Sequence, residues 1–204
     1  MKIKASPADI VIRVRADETI TVVARAGEPV EYRTERADSP SCLGALYLGR
    51  VRTMVPALDA AFVDLGEKED GFLPVAAKNA ARKIREGDAL AVEVVRDAED
   101  GKGPRLARRP AEDAAAIAAG PAPRLLRPAP PLAIRVARDW PGPIRRIVVD
   151  DVDTLLALKA WCRDHRPALM EIIARHAPAG DILETDGLAD RLEDLLAPWV
   201  ALPS

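Results

Sequence analysis

Histidine, cysteine and aromatic side chains are all scarce in this chain, and each scarcity narrows what the protein is built to do. The two histidines, His165 and His176, stand apart near segment ends among arginines. General acid–base work would need a positioned partner, which sequence does not show, so both are expected to be solvated or helix-terminal residues. The two cysteines, Cys42 and Cys162, share no CxxC spacing. That argues against structural zinc and for a reducing, cytoplasmic setting. No apolar run approaches the length of a membrane span. The opening MKIKASPADIVIRV lacks an apolar stretch followed by a small-residue cleavage site, so no secretory signal is expected. Aromatic residues make up only 3% of the chain, and a lone ring in such a sequence is ordinarily core material.

What is present describes a globular protein. Apolar residues account for 49% and charged residues for 30% of 204 positions, enough to bury a sizeable core. The net charge of −2 speaks at first against a polyanionic partner, but its distribution is uneven. Ten basic residues stand against three acidic ones from Lys102 to Arg146, and the flanking segments are acidic. Two readings stay open at this point: a localised phosphate-binding face, or a solvated arginine-rich linker.

The most informative stretch is GALYLGRVRTMVPALDAAFVDLGEKEDGFLPV, Gly44 to Val75. It alternates through Tyr47, Leu48, Val51 and Val55, breaks at Pro56, and re-emerges as AAFVDLG and GFLPV. That is the pattern of short antiparallel strands joined by tight turns. The chain's two phenylalanines, Phe62 and Phe72, fall on consecutive candidate strands, and Arg50 and Arg52 lie on the strand before them. An exposed aromatic pair beside positive charge suits a small barrel that stacks unpaired bases. The competing reading makes both rings core.

Around this stretch the chain alternates strands and helices. Three strands are expected over residues 10–36, with turns at Ala16–Glu18 and Gly27–Glu28. A short alanine-rich helix is expected from Ala111 to Ala119. The segment Pro121–Pro131 has five prolines and cannot be regular throughout. Then follow a helix over Leu132–Trp140, a strand over Arg145–Asp150, a helix over Thr154–His165, a second strand over Leu169–Ala174 and a last helix over Leu188–Leu196, ended by Pro198. The run Asp150, Asp151 and Asp153 is the best local candidate for a metal site. The stronger reading is that Asp153 caps the following helix while Asp150 and Asp151 complement its dipole. Trp140, Trp161 and Trp199 are expected to be packing anchors.

The barrel stretch closely resembles the ribosomal S1-type RNA-binding barrel of the bacterial ribonuclease E/G family. The resemblance runs through Tyr47, Gly49, Arg50 and Val51, Pro56, Ala60–Gly66, Gly71–Pro74, Arg85–Asp88 and Gly101–Leu106. It continues more weakly through the segments beginning at Pro121 and at Gly180. The resemblance implies an α/β fold with an inserted β-barrel of the S1-type OB class. It also implies a ribonuclease-H-like α/β subdomain formed by both ends of the chain, with residues 1–40 expected as its first strands, 41–109 as the RNA-binding barrel, 110–131 as a linker, and 132–204 as the remainder of the subdomain. It further implies that Phe62 and Phe72 stack on bases, that Arg50 and Lys102 contact phosphates, and that the partner is single-stranded RNA, without DNA-specific binding or a membrane span. Oligomeric state has no signature in the sequence.

Two departures from the family pattern bear on function. Few residues separate Arg109 from Pro121, where the family carries an Arg-Thr motif that senses a 5′-monophosphate. The chain stops at Leu202–Ser204, where the family continues into a catalytic domain with two metal-binding aspartates and a CPxCxG zinc link. No cofactor is therefore expected in this chain, Mg²⁺ belonging to that catalytic domain, and no residue here is a catalytic candidate. Two functions follow as expectations: the RNA-recognition part of an endoribonuclease, or a complete non-catalytic RNA-binding or regulatory protein.

Overall fold

The computed structural model describes residues 6–75, 84–99, 101–118, 120–176 and 179–196. In chain order its elements are β1 (Ala8–Val14), β2 (Glu18–Arg25), β3 (Glu28–Arg36), β4 (Leu46–Val55), β5 (Ala60–Asp64), β6 (Gly71–Pro74), β7 (Ala89–Arg96), β8 (Arg105–Arg108), α1 (Pro110–Ala118), β9 (Arg124–Arg127), α2 (Leu132–Asp139), β10 (Ile144–Val149), α3 (Val152–His165), β11 (Ile173–Arg175), α4 (Ile182–Thr185) and α5 (Ala189–Leu196). Among the described residues no helix is long and apolar enough to cross a membrane. The chain divides into two compact units, Met1–Pro40 with Pro131–Ser204, and Ser41–Pro130.

The first unit is a five-stranded sheet in the order β11-β10-β1-β2-β3. β1, β2 and β3 form an antiparallel meander, while β10 runs parallel to β1 and β11 parallel to β10. The turn between β2 and β3 is Ala26–Gly27, with φ of 52° and 82°, the left-handed pair that matches strand twist in a two-residue hairpin. Because successive strand residues point to opposite faces, the sheet supplies two cores. Ile10, Ile12, Ile147 and Val149 pack against Leu132 and Val136 of α2 and Leu158 and Cys162 of α3. Val11, Val22 and Val148 pack on the other face against Ile182 and Leu183 of α4 and Leu192 of α5. Coverage on both faces explains why β1 and β10 each carry three consecutive apolar residues, Ile10–Ile12 and Ile147–Val149.

The second unit is a closed, mixed five-stranded barrel. β4 pairs with β5, β5 with β6, β6 with β8 in parallel, β8 with β7, and β7 returns to β4. Val51, Ala61, Val63, Leu73, Leu90, Val92 and Leu106 fill it. Gly71 makes this filling possible, since a Cβ there would stand 2.5 Å from a methyl carbon of Leu106.

Several expectations need revision in detail. The helix expected over Ala111–Ala119 forms as α1, and the proline-rich segment after it also holds a short strand, β9. Asp113 of α1 is buried, accepting the Ala91 amide at 2.8 Å and an Arg108 bond at 2.8 Å, which fixes the helix to the barrel. The prolines flank a proline-free tetrapeptide, Arg124–Arg127, whose backbone can pair with β4, and Leu126 packs toward Leu48 and Ala116. The strand expected over Leu169–Ala174 shrinks to β11, because Pro167 opens a 3₁₀ segment that runs to Ile172. The cap of α3 falls on Asp151, which accepts the Thr154 amide at 2.7 Å, and Asp153 sits inside the first turn. Four-residue α4 carries too little periodicity to be seen in sequence. It is announced only by its cap, Asp181, which accepts the Leu183 amide at 2.8 Å. Trp199, Pro198 and Leu202–Ser204 lie outside the described residues.

Candidate nucleic-acid interface

Strand alternation sends Ala61, Val63 and Leu73 into the barrel and Phe62 and Phe72 out of it. The two rings stand directly opposite each other across β5 and β6. Their centroids are 6.0 Å apart with planes inclined at 69°, an edge-to-face pair. Phe62 is 37% exposed and Phe72 half-buried, so neither ring belongs to the barrel core.

Two arginines extend this platform. Arg105 on β8 is the register partner of Phe72, and its guanidinium carbon lies 5.8 Å from the centre of that ring. Across the next ladder Arg105 faces Arg96 of β7. Among the described residues neither arginine has an acidic side-chain partner. Beyond them the β7–β8 connection closes as a hairpin in which Glu99 and Lys102 exchange backbone hydrogen bonds. The result is a groove of about 530 Å³ that brings together Phe62, Phe72, Arg96, Lys102 and Arg105 with Glu69, Asp70, Asp97 and Glu99.

Gly103 sets the width of the groove. A Cβ at this position would overlap the carbonyl oxygen of Asp70, so only glycine lets the β7–β8 connection lie against the β5–β6 turn. The walls are braced by polar contacts. Asp97 accepts from Ser41 Oγ at 2.6 Å and from the Cys42 amide at 2.9 Å. Burial, with Asp97 beside it, pushes the Cys42 thiol up to about 12, so it is neutral at physiological pH and no thiolate nucleophile. Arg52 bridges Asp64 at 3.0 Å and Asp70 at 3.5 Å. The Gly66 amide, with Arg52 behind it, holds Asp64 below the usual carboxylate range.

The remaining candidates fall elsewhere. Arg50 does not line the groove, and its guanidinium donates to the carbonyls of Gly87 at 3.1 Å and Ala122 at 3.2 Å. Asp150 accepts the Val14 amide at 2.8 Å and an Arg15 bond at 2.6 Å, and Asp151 is occupied by the cap. Among the described residues no group of three or more His, Cys, Asp or Glu side chains is placed to hold a metal ion. His165 stacks on Trp161 with ring centres 4.9 Å apart, and Trp140 lies under Arg25 at 5.0 Å. Both tryptophans pack against the first unit's core.

Arg96, Glu69, Glu99 and Gly103 were not site candidates on sequence grounds. Arg96 sits beside Asp97 and Glu99, so charge counting hides it. Its meeting with Arg105 depends on an irregularity of register between Val94 and Arg96 that no local pattern announces.

No family model matches the chain. Among curated proteins it is similar to ribonuclease G of Haemophilus influenzae, 28% identical over 116 residues, which is 48% of this chain and 24% of that protein. Ribonuclease G of Salmonella typhimurium and of Escherichia coli K12 are each 28% identical over 117 residues, with the same coverage. The matched region spans about a quarter of the length of these relatives. The similarity supports a relationship to the ribonuclease E/G family.

Proposed function

We propose that this chain binds single-stranded RNA across the groove of its barrel, as the RNA-recognition part of a ribonuclease E/G-type endoribonuclease acting in RNA processing. One observation carries the reading. An outward phenylalanine pair is flanked by Arg96 and Arg105, like charges that face each other with, among the described residues, no acidic side chain bonded to either. Like charges directly opposite destabilise a strand pair, and a phosphate between them removes the repulsion. Stacked rings beside an unneutralised cation pair suit unpaired bases on a phosphate backbone, not a duplex whose bases are already stacked.

Other features support the reading. The barrel's ring order, β4-β5-β6-β8-β7, with β6 and β8 parallel, fits an OB fold of the S1 type. The antiparallel meander flanked by β10 and β11 fits a ribonuclease-H-like subdomain. The relatives are named as ribonucleases, which supports RNA as the ligand. Phe62 and Phe72 are assigned to bases and Lys102, Arg96 and Arg105 to phosphates. Arg50, with its guanidinium bound to two carbonyls, is assigned to holding the barrel together. Cleavage is assigned outside this chain, since Asp150 and Asp151 are engaged in bonds to backbone amides and Arg15.

The test is fluorescence anisotropy with a labelled single-stranded RNA octamer and the same octamer annealed to its complement. Binding to the single strand and a marked loss on annealing are expected. Equal affinity for both forms overturns the stacking assignment.

A further inference from the structure

The groove holds more negative than positive groups: Arg96, Lys102 and Arg105 against Glu69, Asp70, Asp97 and Glu99. A phosphate backbone can follow only the cationic side of such a floor, so the acidic side needs another occupant. Two of the four carboxylates are already engaged, Asp70 by Arg52 and Asp97 by Ser41 and the Cys42 amide. Among the described residues Glu69 and Glu99 have no side-chain partner, and both are exposed. Glu99 stands across from Lys102 in the hairpin, and no ion pair forms between them. Glu69 lies in the β5–β6 turn, at the wall that Gly103 keeps close.

Two free acceptors therefore share one groove with the stacking rings and three cations. A base lying on Phe62 or Phe72 presents its edge within that same groove. We propose that Glu69 and Glu99 read base edges there, favouring bases that offer an amino donor and disfavouring uridine. This rests on the RNA-binding reading above. An ionised carboxylate only accepts hydrogen bonds. Cytosine offers it the N4 amino group and adenine the N6 amino group. Guanine offers the N1 and N2 hydrogens together, a match for both carboxylate oxygens. Uracil instead turns O4 and O2 toward the carboxylate on either side of its single N3 hydrogen, so oxygen meets oxygen. The cations follow the phosphates and the carboxylates select the bases.

Oligocytidine and oligouridine isolate this chemistry, because the two pyrimidines have similar stacking area and differ at the edge. Labelled octamers of each are titrated by anisotropy at one salt concentration, with the native protein, with Phe62→Ala and with the double variant Glu69→Gln, Glu99→Gln. Cytidine is expected to bind at least about threefold tighter than uridine, somewhat less than a bidentate edge contact is worth because a carboxylate reads only the N4 amino group of cytosine. In the double variant the ratio should fall toward one, even though removing two negative charges strengthens binding of both strands. A native ratio below threefold, with binding intact and lost in Phe62→Ala, overturns base-edge selection and leaves the stacking site standing. A ratio that persists in the double variant overturns the assignment to these two carboxylates. Absence of binding to either octamer overturns both readings.

Discussion

Replacing Phe62 by alanine separates binding from folding. The ring is 37% exposed and touches Phe72 edge-on, while its neighbours Ala61 and Val63 carry the barrel core. Truncation forfeits the edge-to-face contact, about 0.5–1.5 kcal/mol, and leaves no closed cavity. A buried phenylalanine would cost about 3–5 kcal/mol. The expected loss of barrel stability is therefore about 1 kcal/mol. Loss of a stacking ring costs about 1–3 kcal/mol per base in binding, roughly five-fold to over a hundred-fold in affinity. The two quantities need separate readouts. Trp140 and Trp161 both lie in the unit Met1–Pro40 with Pro131–Ser204, so tryptophan fluorescence follows that unit and not the barrel. Urea unfolding followed by NMR resonances of barrel residues, with anisotropy on the RNA octamer, gives both numbers on one protein. Barrel destabilisation of 3 kcal/mol or more would make Phe62 a core residue. Unchanged affinity in a folded variant would end the stacking assignment.

Three further outcomes follow from the same structure. Gly103→Ala must displace the β7–β8 connection from the Asp70 carbonyl, so RNA affinity should fall several-fold at a folding cost of about 1–3 kcal/mol; native affinity would mean that groove width is irrelevant. Arg145, with Arg146 behind it, holds the Asp9 carboxyl below its ordinary value of 3.8 despite burial, and this stability is present above the unfolded value and lost as pH falls through the folded one. Tryptophan-monitored urea stability should therefore be flat above about pH 5 and decline below about pH 4, less steeply in Asp9→Asn; equal acid slopes would remove Asp9 from the account. RNA octamers with a 5′-monophosphate and a 5′-hydroxyl should bind equally, because Arg124 is turned to the Ala116 carbonyl at 3.4 Å; a tenfold preference, about 1.4 kcal/mol, would reveal a phosphate pocket.

The fold was legible wherever a local period was long enough. The alternation in residues 10–36 and the short apolar stretch within Arg145–Asp150 predicted β1, β2, β3 and β10 to within two residues, since the buried faces of one sheet dictate both patterns. β9 was hidden because prolines on either side dominate a four-residue strand that takes its identity from β4. Asp153 was preferred to Asp151 as a cap because both precede an apolar helix, and only backbone geometry separates Ncap from the first turn. In the groove, Phe62, Phe72 and Lys102 were visible from their motifs. Arg96, Glu69 and Glu99 were not, because each acquires its neighbours through strand pairing and turn packing between residues distant in sequence.

The basic segment from Lys102 to Arg146 shows how a charge count and a binding surface differ. Of its ten cations, Arg108, Arg109, Arg135, Arg138, Arg145 and Arg146 are held in ion pairs with Asp113, Glu93, Glu35, Asp139, Asp9 and Asp186. Arg124 bonds a carbonyl. Lys102 and Arg105 line the groove, where Arg96, from outside the segment, joins them. Most of the excess charge therefore serves the fold. The two accounts differ in salt dependence, since each phosphate neutralised on a single strand contributes about −0.7 to the slope of log affinity against log salt. Three groove cations give a slope of about −2, or roughly a twenty-fold loss of affinity between about 50 and 200 mM salt. A segment that met RNA with its whole excess of seven charges would give about −5, a loss of roughly a thousand-fold. Anisotropy titrations at four salt concentrations distinguish these slopes. A value near −2 that falls toward −1 in Arg105→Gln is the expected result. A slope near −5, unmoved by that substitution, would place the RNA along the arginine-rich segment and away from the aromatic groove.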